Sequence, residues 1–243
     1  MIDKTFWNLR RSATGRQLVM FPFLGGFGAS YNRLVSELEG DWDIWTANPP
    51  GHGPSPLAPV TDMDGLLRHY LDALMPILRT DAVFFGHSMG GVVAYHLLTR
   101  MGGRPEFIYR MPTDLVLSAC AAPDQLPVVG KAALSDVDLL GHLSSFGAIP
   151  TELTNDQSLM AIFVPAFRAD YQILEDMMMS PSTGLTVRAR LILGERDPQT
   201  PTDTPAAWQR YFAHPITTYV LECEEHMYVL RSTKVINSIL NAL

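Results

Sequence analysis

The chain is poor in cysteine, with two thiols, Cys120 and Cys223, among 243 residues. Two cysteines in apolar, strand-like segments cannot supply a disulfide framework, and their surroundings lack metal-ligand spacing. Long apolar runs are missing too, because none approaches the roughly 20 residues that a membrane-spanning helix needs. The first residues carry early charges and no apolar stretch, unlike a signal peptide. We therefore expect a cytoplasmic protein with buried, reduced thiols and no membrane association.

Positive charge is scarce as well. The chain has 18 Lys and Arg against 25 Asp and Glu, a net charge of −7 at pH 7. No local cluster of Lys or Arg reverses this sign, which argues against nucleic-acid binding. Charged residues make up 18% of the chain and hydrophobic residues 47%, so a substantial core can be buried. The chain has neither internal repeats nor low-complexity segments. We expect one domain over residues 1–243, and we expect the protein to be a monomer.

An apolar run, Val83 to Phe85, ends in Gly86-His87-Ser88-Met89-Gly90, and a helix-like segment follows at once. This pattern predicts a buried strand, a turn too tight for side chains and a helix N-terminus. Gly86 and Gly90 keep such a turn sterically possible while Ser88 stands at its apex. The Ser88 hydroxyl then lies beside the positive end of a helix, which makes it a candidate nucleophile.

Strand-like and helix-like segments alternate along most of the chain, which predicts an α/β fold with a mostly parallel central sheet flanked by helices. The predicted strands are 17–21, 42–47, 83–87, 114–120, 189–194 and 216–221. The predicted helices outside the insertion described next are 31–39, 63–78, 89–101, 205–212 and 233–243.

The alternation stops between residues 125 and 186, where no strand-like segment occurs. Two helices are predicted there, 136–146 and 156–179, the second interrupted by Pro165. A helical segment of this length between two sheet strands is interpreted as an inserted lid. Its apolar residues exceed what one sheet face can cover, so part of them should line an apolar pocket. The candidates for this lining are Phe146, Phe163 and Phe167.

Three polar residues lie just past the C-terminal ends of three predicted strands: Ser88, Asp197 and His226. Ligands bind at this edge of open α/β sheets. A serine hydroxyl needs an imidazole to take its proton, and a carboxylate fixes the imidazole tautomer. The chain order Ser, Asp, His is that of the α/β-hydrolase fold. Asp124 is the alternative acid, because it also follows a strand and precedes His226.

A glycine-rich loop, Pro22 to Gly28, follows the first predicted strand. Its glycine spacing matches neither the dinucleotide nor the P-loop fingerprint. The loop can instead bring a backbone N–H, that of Leu24, towards Ser88 as an oxyanion donor. His52 lies in a Pro/Gly turn ahead of the serine and is interpreted as a structural loop histidine.

Several of these segments together resemble the type II thioesterases of nonribosomal peptide and polyketide synthesis. The segments that carry the resemblance are Phe21 to Gly26, Pro50 to Gly53, Gly86 to Gly91, Arg168 to Tyr171, Gly194 to Asp197, and His226. The resemblance implies hydrolysis of acyl thioesters on the phosphopantetheine arm of acyl or peptidyl carrier proteins, which clears stalled or wrongly loaded synthetases. It also implies that Leu24 and Met89 donate the oxyanion-hole N–H groups. No metal or organic cofactor is implied.

The sequence departs from the pattern of this family at two places. Leu24 stands where a smaller alanine is usual, which should narrow the cleft beside the oxyanion site. Glu224 and Glu225 replace glycines before His226; they either favour the charged imidazolium or point into solvent. For docking of an acidic carrier protein we expect an apolar lid surface, with Arg168 as a helper.

Two other functions are compatible with the same residues. The fold and triad would also suit a small-molecule carboxylesterase or a C–C hydrolase. A hydrolase-fold binding module without catalysis is the non-enzymatic alternative.

Overall fold

The computed structural model describes residues 5–149, 157–178 and 184–243. Its centre is a seven-stranded sheet in the order β1-β3-β2-β4-β5-β6-β7. The strands are β1 Phe6–Arg10, β2 Arg16–Phe21, β3 Trp42–Ala47, β4 Val83–His87, β5 Asp114–Ser118, β6 Arg188–Gly194 and β7 Thr217–Leu221. All neighbours pair in parallel except β1 and β3. The predicted mostly parallel sheet is confirmed.

Helices cover both faces of the sheet. The α-helices in the described ranges are α1 Asn32–Glu37, α2 Met63–Leu74, α3 Met89–Gly102, α4 Asp136–Ser145, α5 Gln157–Met177, α6 Thr204–Gln209 and α7 Thr233–Asn241. α2 ends earlier than predicted because Pro76 lacks the N–H that would continue it. α5 runs through Pro165, so the predicted interruption there was wrong.

Alternate residues of each central strand pack against opposite helical layers, as the period of two in a strand requires. In β2, Val19 and Phe21 join the core that includes α2, α3 and α5, whereas Leu18 and Met20 join the core under α1 and α7. The same division recurs in β4, β5 and β6. Strands buried on both faces are typical of parallel sheets covered by helices.

Strand β1 lies at the edge of the sheet and is not predicted by the sequence pattern. Of its five residues only Phe6 is buried, and its register against β3 is irregular between Asn8 and Arg10. An edge strand of this kind carries neither a continuous apolar run nor a clean alternation. For this reason the first strand predicted from the sequence is 17–21, and β1 was not predicted.

A buried carboxylate holds three strands together at the N-terminal edge of the sheet, opposite the candidate site. Asp114 of β5 is fully buried and pairs with Arg16 of β2 and with Arg188 and Arg190 of β6. Burial raises the pKa of Asp114, but hydrogen bonds from these arginines and Thr113 outweigh burial and lower it to about 2.

The two thiols lie in different environments. Cys120 is buried, and burial raises its pKa, whereas Cys223 is exposed. The expectation of two buried thiols was therefore wrong for Cys223, which sits in a tight turn after β7 with φ of +60°. Across the described ranges, none of the helices combines the length and the apolar character needed to cross a bilayer.

Candidate active site

Ser88 lies in a sharp turn between β4 and α3, as the sequence predicts. Its φ of +53° belongs to the region that L-residues rarely adopt. A side chain at Gly86 would overlap the Gly90 carbonyl, and one at Gly90 would overlap the Phe21 carbonyl. The two glycines therefore let three backbone segments meet beneath the serine. The strained conformation is held by this packing and keeps the Ser88 hydroxyl at the surface of the core.

A hydrogen-bonded chain joins Ser88, His226 and Asp197. The Nε2 atom of His226 lies 2.9 Å from Ser88 Oγ. On the other side of the ring, His226 Nδ1 lies 2.8 Å and 3.0 Å from the two carboxylate oxygens of Asp197. Since an ionised carboxylate only accepts, Nδ1 carries the proton and Nε2 is free to accept one from the serine. The imidazole and the carboxylate are both buried.

The loops after β6 and β7 bring the acid and the base together. The Arg196 N–H donates to the Glu224 carbonyl over 2.8 Å, which fastens one loop to the other. Asp197 accepts a second hydrogen bond, 2.8 Å long, from the Gln199 N–H, which orients its carboxylate. Asp124, the alternative acid, is exposed and pairs with Arg210 at the surface.

The three linked side chains open into a narrow apolar cleft of about 50 Å³. Both residues predicted to form an oxyanion hole, Leu24 and Met89, line it beside Ser88 and His226. Met89 is the first residue of α3, so its N–H has no acceptor within the helix. The remaining walls come from Ala119, Ala121, Leu126, Pro127, Val128, Phe146, Tyr171, Leu174 and Gln199.

The three phenylalanines of the predicted lid divide between two clefts. Phe146 follows α4 and lines the cleft of the triad. Phe163 and Phe167 of α5 line a neighbouring cleft of about 150 Å³, where Met160 and Ile149 contribute further apolar surface. Leu24 belongs to both linings. The sequence thus identified pocket residues in each case but placed them around a single pocket.

A buried chain of polar side chains packs against His226, and no sequence pattern predicts it. His87 packs against His226 with ring centroids 5.5 Å apart. Its Nδ1 atom lies 2.9 Å from Ser118 Oγ, which lies 2.7 Å from the Tyr228 hydroxyl. Tyr228 in turn donates to the Ile192 carbonyl over 2.8 Å. Burial, with the adjacent His226, lowers the pKa of His87, so a neutral imidazole faces the His226 ring.

Glu224 and Glu225 share a cation, Arg231. Its guanidinium lies 3.9 Å from the Glu224 carboxylate and 3.7 Å from that of Glu225. Glu224 also accepts a hydrogen bond from Ser232. Arg231 thus partly balances the negative charge of the two glutamates that precede His226.

His52 lies outside the triad, in agreement with its interpretation as a structural histidine. It is buried, and it binds Asp170 of α5. Within the described part of the chain, no group of acidic residues, histidines and cysteines is arranged to hold a metal ion.

Comparison with known proteins places this site in a family. A model of the thioesterase domain matches residues 16–243. The chain belongs to the thioesterase domain family. The match includes Ser88, Asp197 and His226, and it covers the chain from β2 to the C-terminus.

Individual relatives have low sequence identity to this chain, but the matches cover most of its length. Thioesterase PikA5 of Streptomyces venezuelae is 28% identical over 205 residues, which cover 82% of this chain and 70% of that protein. AMB antimetabolite synthetase AmbE of Pseudomonas aeruginosa (strain ATCC 15692) is 28% identical over 212 residues, which cover 86% of this chain and 10% of that protein. The structure of the type II thioesterase BorB from the borrelidin biosynthetic cluster matches with a TM-score of 0.87. That match covers 99% of this chain and 97% of BorB at 24% identity, which confirms the predicted α/β-hydrolase fold.

Proposed function

We propose that this thioesterase hydrolyses acyl groups from the phosphopantetheine arm of acyl or peptidyl carrier proteins, and so clears stalled or wrongly loaded nonribosomal peptide or polyketide synthases. The observation that carries the proposal is the hydrogen-bonded chain from Ser88 through His226 to Asp197 at the foot of an apolar cleft. The names of relatives support the pathway, because they include a thioesterase, an antimetabolite synthetase and a type II thioesterase from the borrelidin biosynthetic cluster.

In the first half of the reaction, Ser88 Oγ attacks the thioester carbonyl carbon and its proton passes to His226 Nε2. The carbonyl oxygen becomes an oxyanion, and the backbone N–H groups of Leu24 and Met89 bind it. The C–S bond then breaks. The pantetheine thiol leaves with the proton from His226, and the acyl group remains on Ser88 as an ester. A thiol is a good leaving group, so little acid assistance is needed.

In the second half, a water molecule attacks the acyl-enzyme carbonyl while His226 Nε2 accepts a proton from it. The same two N–H groups bind the second oxyanion. Collapse breaks the bond to Ser88 Oγ, which regains a proton from His226, and a carboxylic acid is released. Throughout the cycle Asp197 keeps Nδ1 protonated and stabilises the imidazolium.

The lid segment has to move for substrate to enter. A space of about 50 Å³ above the triad is far below the 300–1,000 Å³ of typical small-molecule sites. Leu126, Phe146 and Leu174 close the cleft, and all three belong to the predicted lid segment, residues 125–186. Its opening would admit an acyl-pantetheine arm, and its closure would exclude bulk water from the acyl-enzyme.

We propose that a carrier protein docks on the exposed apolar surface of the predicted lid segment, residues 125–186. Val129 and Val137 are 75% and 80% exposed, and Val129 directly follows residues that line the cleft. Arg168, expected to assist docking, is instead engaged within the lid segment by Asp136 and the Ala132 carbonyl. Because this chain has a net charge of −7, long-range attraction to an acidic carrier should be weak.

A three-substrate assay tests the proposal, with acetyl-loaded carrier protein, acetyl-coenzyme A and an acetyl oxygen ester at matched concentrations. Ser88→Ala serves as the control. We expect turnover that depends on Ser88 and is fastest with the carrier-bound thioester. Preference for the oxygen ester would indicate a carboxylesterase. No Ser88-dependent turnover of any of the three would contradict hydrolysis and favour a binding module.

A further inference from the structure

Three segments far apart in the sequence meet at one buried carboxylate outside the triad. Asp170 Oδ2 accepts a hydrogen bond of 2.7 Å from the Gly25 N–H. The same oxygen lies 3.0 Å from His52 Nε2. The loop after β2, the loop after β3 and α5 are therefore fastened to one another at this atom. Asp170 is 3% exposed and His52 is equally buried, so water does not compete for these bonds.

The backbone that Asp170 holds is the turn that carries Leu24. The Gly26 N–H donates to the Phe23 carbonyl over 2.7 Å, which closes a four-residue turn with Leu24 and Gly25 at its centre. Gly25 has φ of +73°, the requirement of the third position of a type II turn. The type I alternative rotates the central peptide by about 150° in ψ, and it would turn the Gly25 N–H away.

α5 contacts this turn through two side chains on one face. Phe167 and Asp170 are three residues apart, so they lie one above the other on the helix. The Phe167 ring packs so closely on Gly25 that a side chain at that position would overlap it. Asp170 takes the N–H of the same residue. Both the packing and the hydrogen bond of α5 thus act on the peptide that follows Leu24.

Both ring nitrogens of His52 face acceptors. Nδ1 lies 3.0 Å from the Pro50 carbonyl and Nε2 lies 3.0 Å from the Asp170 carboxylate. A neutral imidazole has only one N–H, so this arrangement suits the imidazolium. Burial lowers the pKa of His52, but the charge and hydrogen bond of Asp170 outweigh burial, and the pKa is raised overall. Two further titratable groups, Tyr70 of α2 and Tyr171 of α5, interact electrostatically with Asp170. Burial raises the pKa of both tyrosines, so they remain neutral.

We infer that Asp170 is a positioning residue for the oxyanion hole: it fixes the turn that presents the Leu24 N–H to the substrate carbonyl, with His52 as its charged partner. The inference rests on the proposed role of Leu24. An oxyanion donor acts on the transition state, so its misplacement lowers kcat and leaves KM nearly unchanged. A neutral His52 can donate to only one of its two acceptors, the Pro50 carbonyl and the Asp170 carboxylate. Deprotonation of His52 should therefore make the turn that contains Leu24 less rigid. A component of kcat should therefore fall as the pH rises through the raised pKa of His52.

The test compares Asp170→Ala and Asp170→Asn with Asp176→Ala. Asp176 is a matched control, because it also lies on α5 and accepts a backbone N–H, that of Met63, but it does not touch the oxyanion turn. Each variant is assayed for kcat and KM with acetyl-coenzyme A. We expect Asp170→Ala to lower kcat by about 10- to 100-fold, the scale of an ångström-sized misplacement. Asp170→Asn keeps an acceptor oxygen and should lie between Asp170→Ala and the wild type.

A second readout does not depend on thioester hydrolysis. An alkyl boronic acid accepts the Ser88 Oγ lone pair, the serine proton passes to His226, and the tetrahedral adduct mimics the oxyanion. Its affinity, measured by calorimetry, should fall in Asp170→Ala by the same factor as kcat. If the wild type binds the boronate but hydrolyses no thioester, the proposed function is wrong, and boronate affinity alone decides the role of Asp170.

His52→Gln completes the experiment, because glutamine keeps a donor for Asp170 but does not titrate. The alkaline fall in kcat that we expect in the wild type should be absent from this variant. Wild-type kcat and boronate affinity in Asp170→Ala would overturn the inference. If that variant does not fold, wild-type kcat and boronate affinity in Asp170→Asn, together with an unchanged pH profile in His52→Gln, would do so.

Discussion

The Phe146 ring stands edge-on to the His226 imidazole, with ring centroids 5.3 Å apart and the planes at 88°. A residue that follows α4 thus contacts the His226 imidazole directly. On the other face of the imidazole, His87 packs at 5.5 Å. The imidazole is therefore held between a ring at the end of β4 and a ring from the segment predicted to form a lid.

Removal of the Phe146 ring should make the orientation of the His226 imidazole less well defined. We expect Phe146→Ala to lower kcat with acetyl-coenzyme A by about 3- to 10-fold, since an aromatic pair of this geometry contributes roughly 0.5–1.5 kcal/mol. Phe163→Ala is the control, because Phe163 lines the second cleft. Equal losses of kcat in the two variants would show that the contact with His226 is unimportant.

The acid of the triad can be identified by comparing two aspartates. Asp197→Asn should lower kcat on the order of 10⁴-fold, because the amide no longer fixes the tautomer of His226. Asp124→Asn should remain close to wild type, since Asp124 pairs with Arg210 at the surface. The measurement is kcat with the substrate that the wild type turns over fastest. A collapse confined to Asp124→Asn would reverse the assignment.

The sequence was sufficient for the part of the site that follows a local rule. Ser88, Asp197 and His226 each lie within five residues of the end of a strand, and their chain order is that of the α/β-hydrolase fold. The C-terminal ends of parallel strands lie at one edge of the sheet. Local patterns therefore predict that Ser88 and His226 lie close together, although 138 residues separate them in the sequence.

Contacts that no local pattern encodes were missed. Nothing around Asp170 indicates that it binds Gly25, 145 residues away, because that contact depends on how α5 lies across the sheet. The separation of Phe146 from Phe163 and Phe167 into two clefts has the same origin. Periodicity shows which residues are buried, but the packing angle of a helix decides which cavity they face.

The width of the acyl site should depend on Leu24, whose side chain is shared by the two clefts. Leu24→Ala keeps the backbone donor and removes the partition between spaces of about 50 and 150 Å³. We expect kcat/KM for hexanoyl-coenzyme A to rise relative to acetyl-coenzyme A by about 10-fold, a change typical of a reshaped hydrophobic pocket. Leu126→Ala, at a wall of the first cleft alone, is the matched control. An unchanged ratio in Leu24→Ala would exclude the partition.

Stability should depend on Asp114 in acid. Its folded-state pKa of about 2 lies below the usual value of 3.8, so its stabilising contribution is complete above that value. The contribution is lost as the pH falls through about 2. At neutral pH, Asp114→Asn should lower the free energy of unfolding by about 3 kcal/mol, the lower end of the range for breaking a buried ion pair. The loss is at the lower end because the exposed Arg188 side chain can be solvated by water when its partner is removed. Urea denaturation at pH 7 and pH 3 measures this, and an equal loss at both values would contradict the role of the charge.

Carrier recognition should be separable from catalysis on the lid surface. Val137 is 80% exposed near the start of α4, so Val137→Asp places a charge there without disturbing the core. We expect it to raise KM for acetyl-loaded carrier protein, because the acidic side chain opposes an acidic partner, and to leave acetyl-coenzyme A hydrolysis unchanged. Ile108→Asp adds the same charge at a comparably exposed position, 61%, between α3 and β5 and thus at the other edge of the sheet. If both variants impair carrier hydrolysis equally, the effect comes from net charge; if neither does, the carrier docks elsewhere.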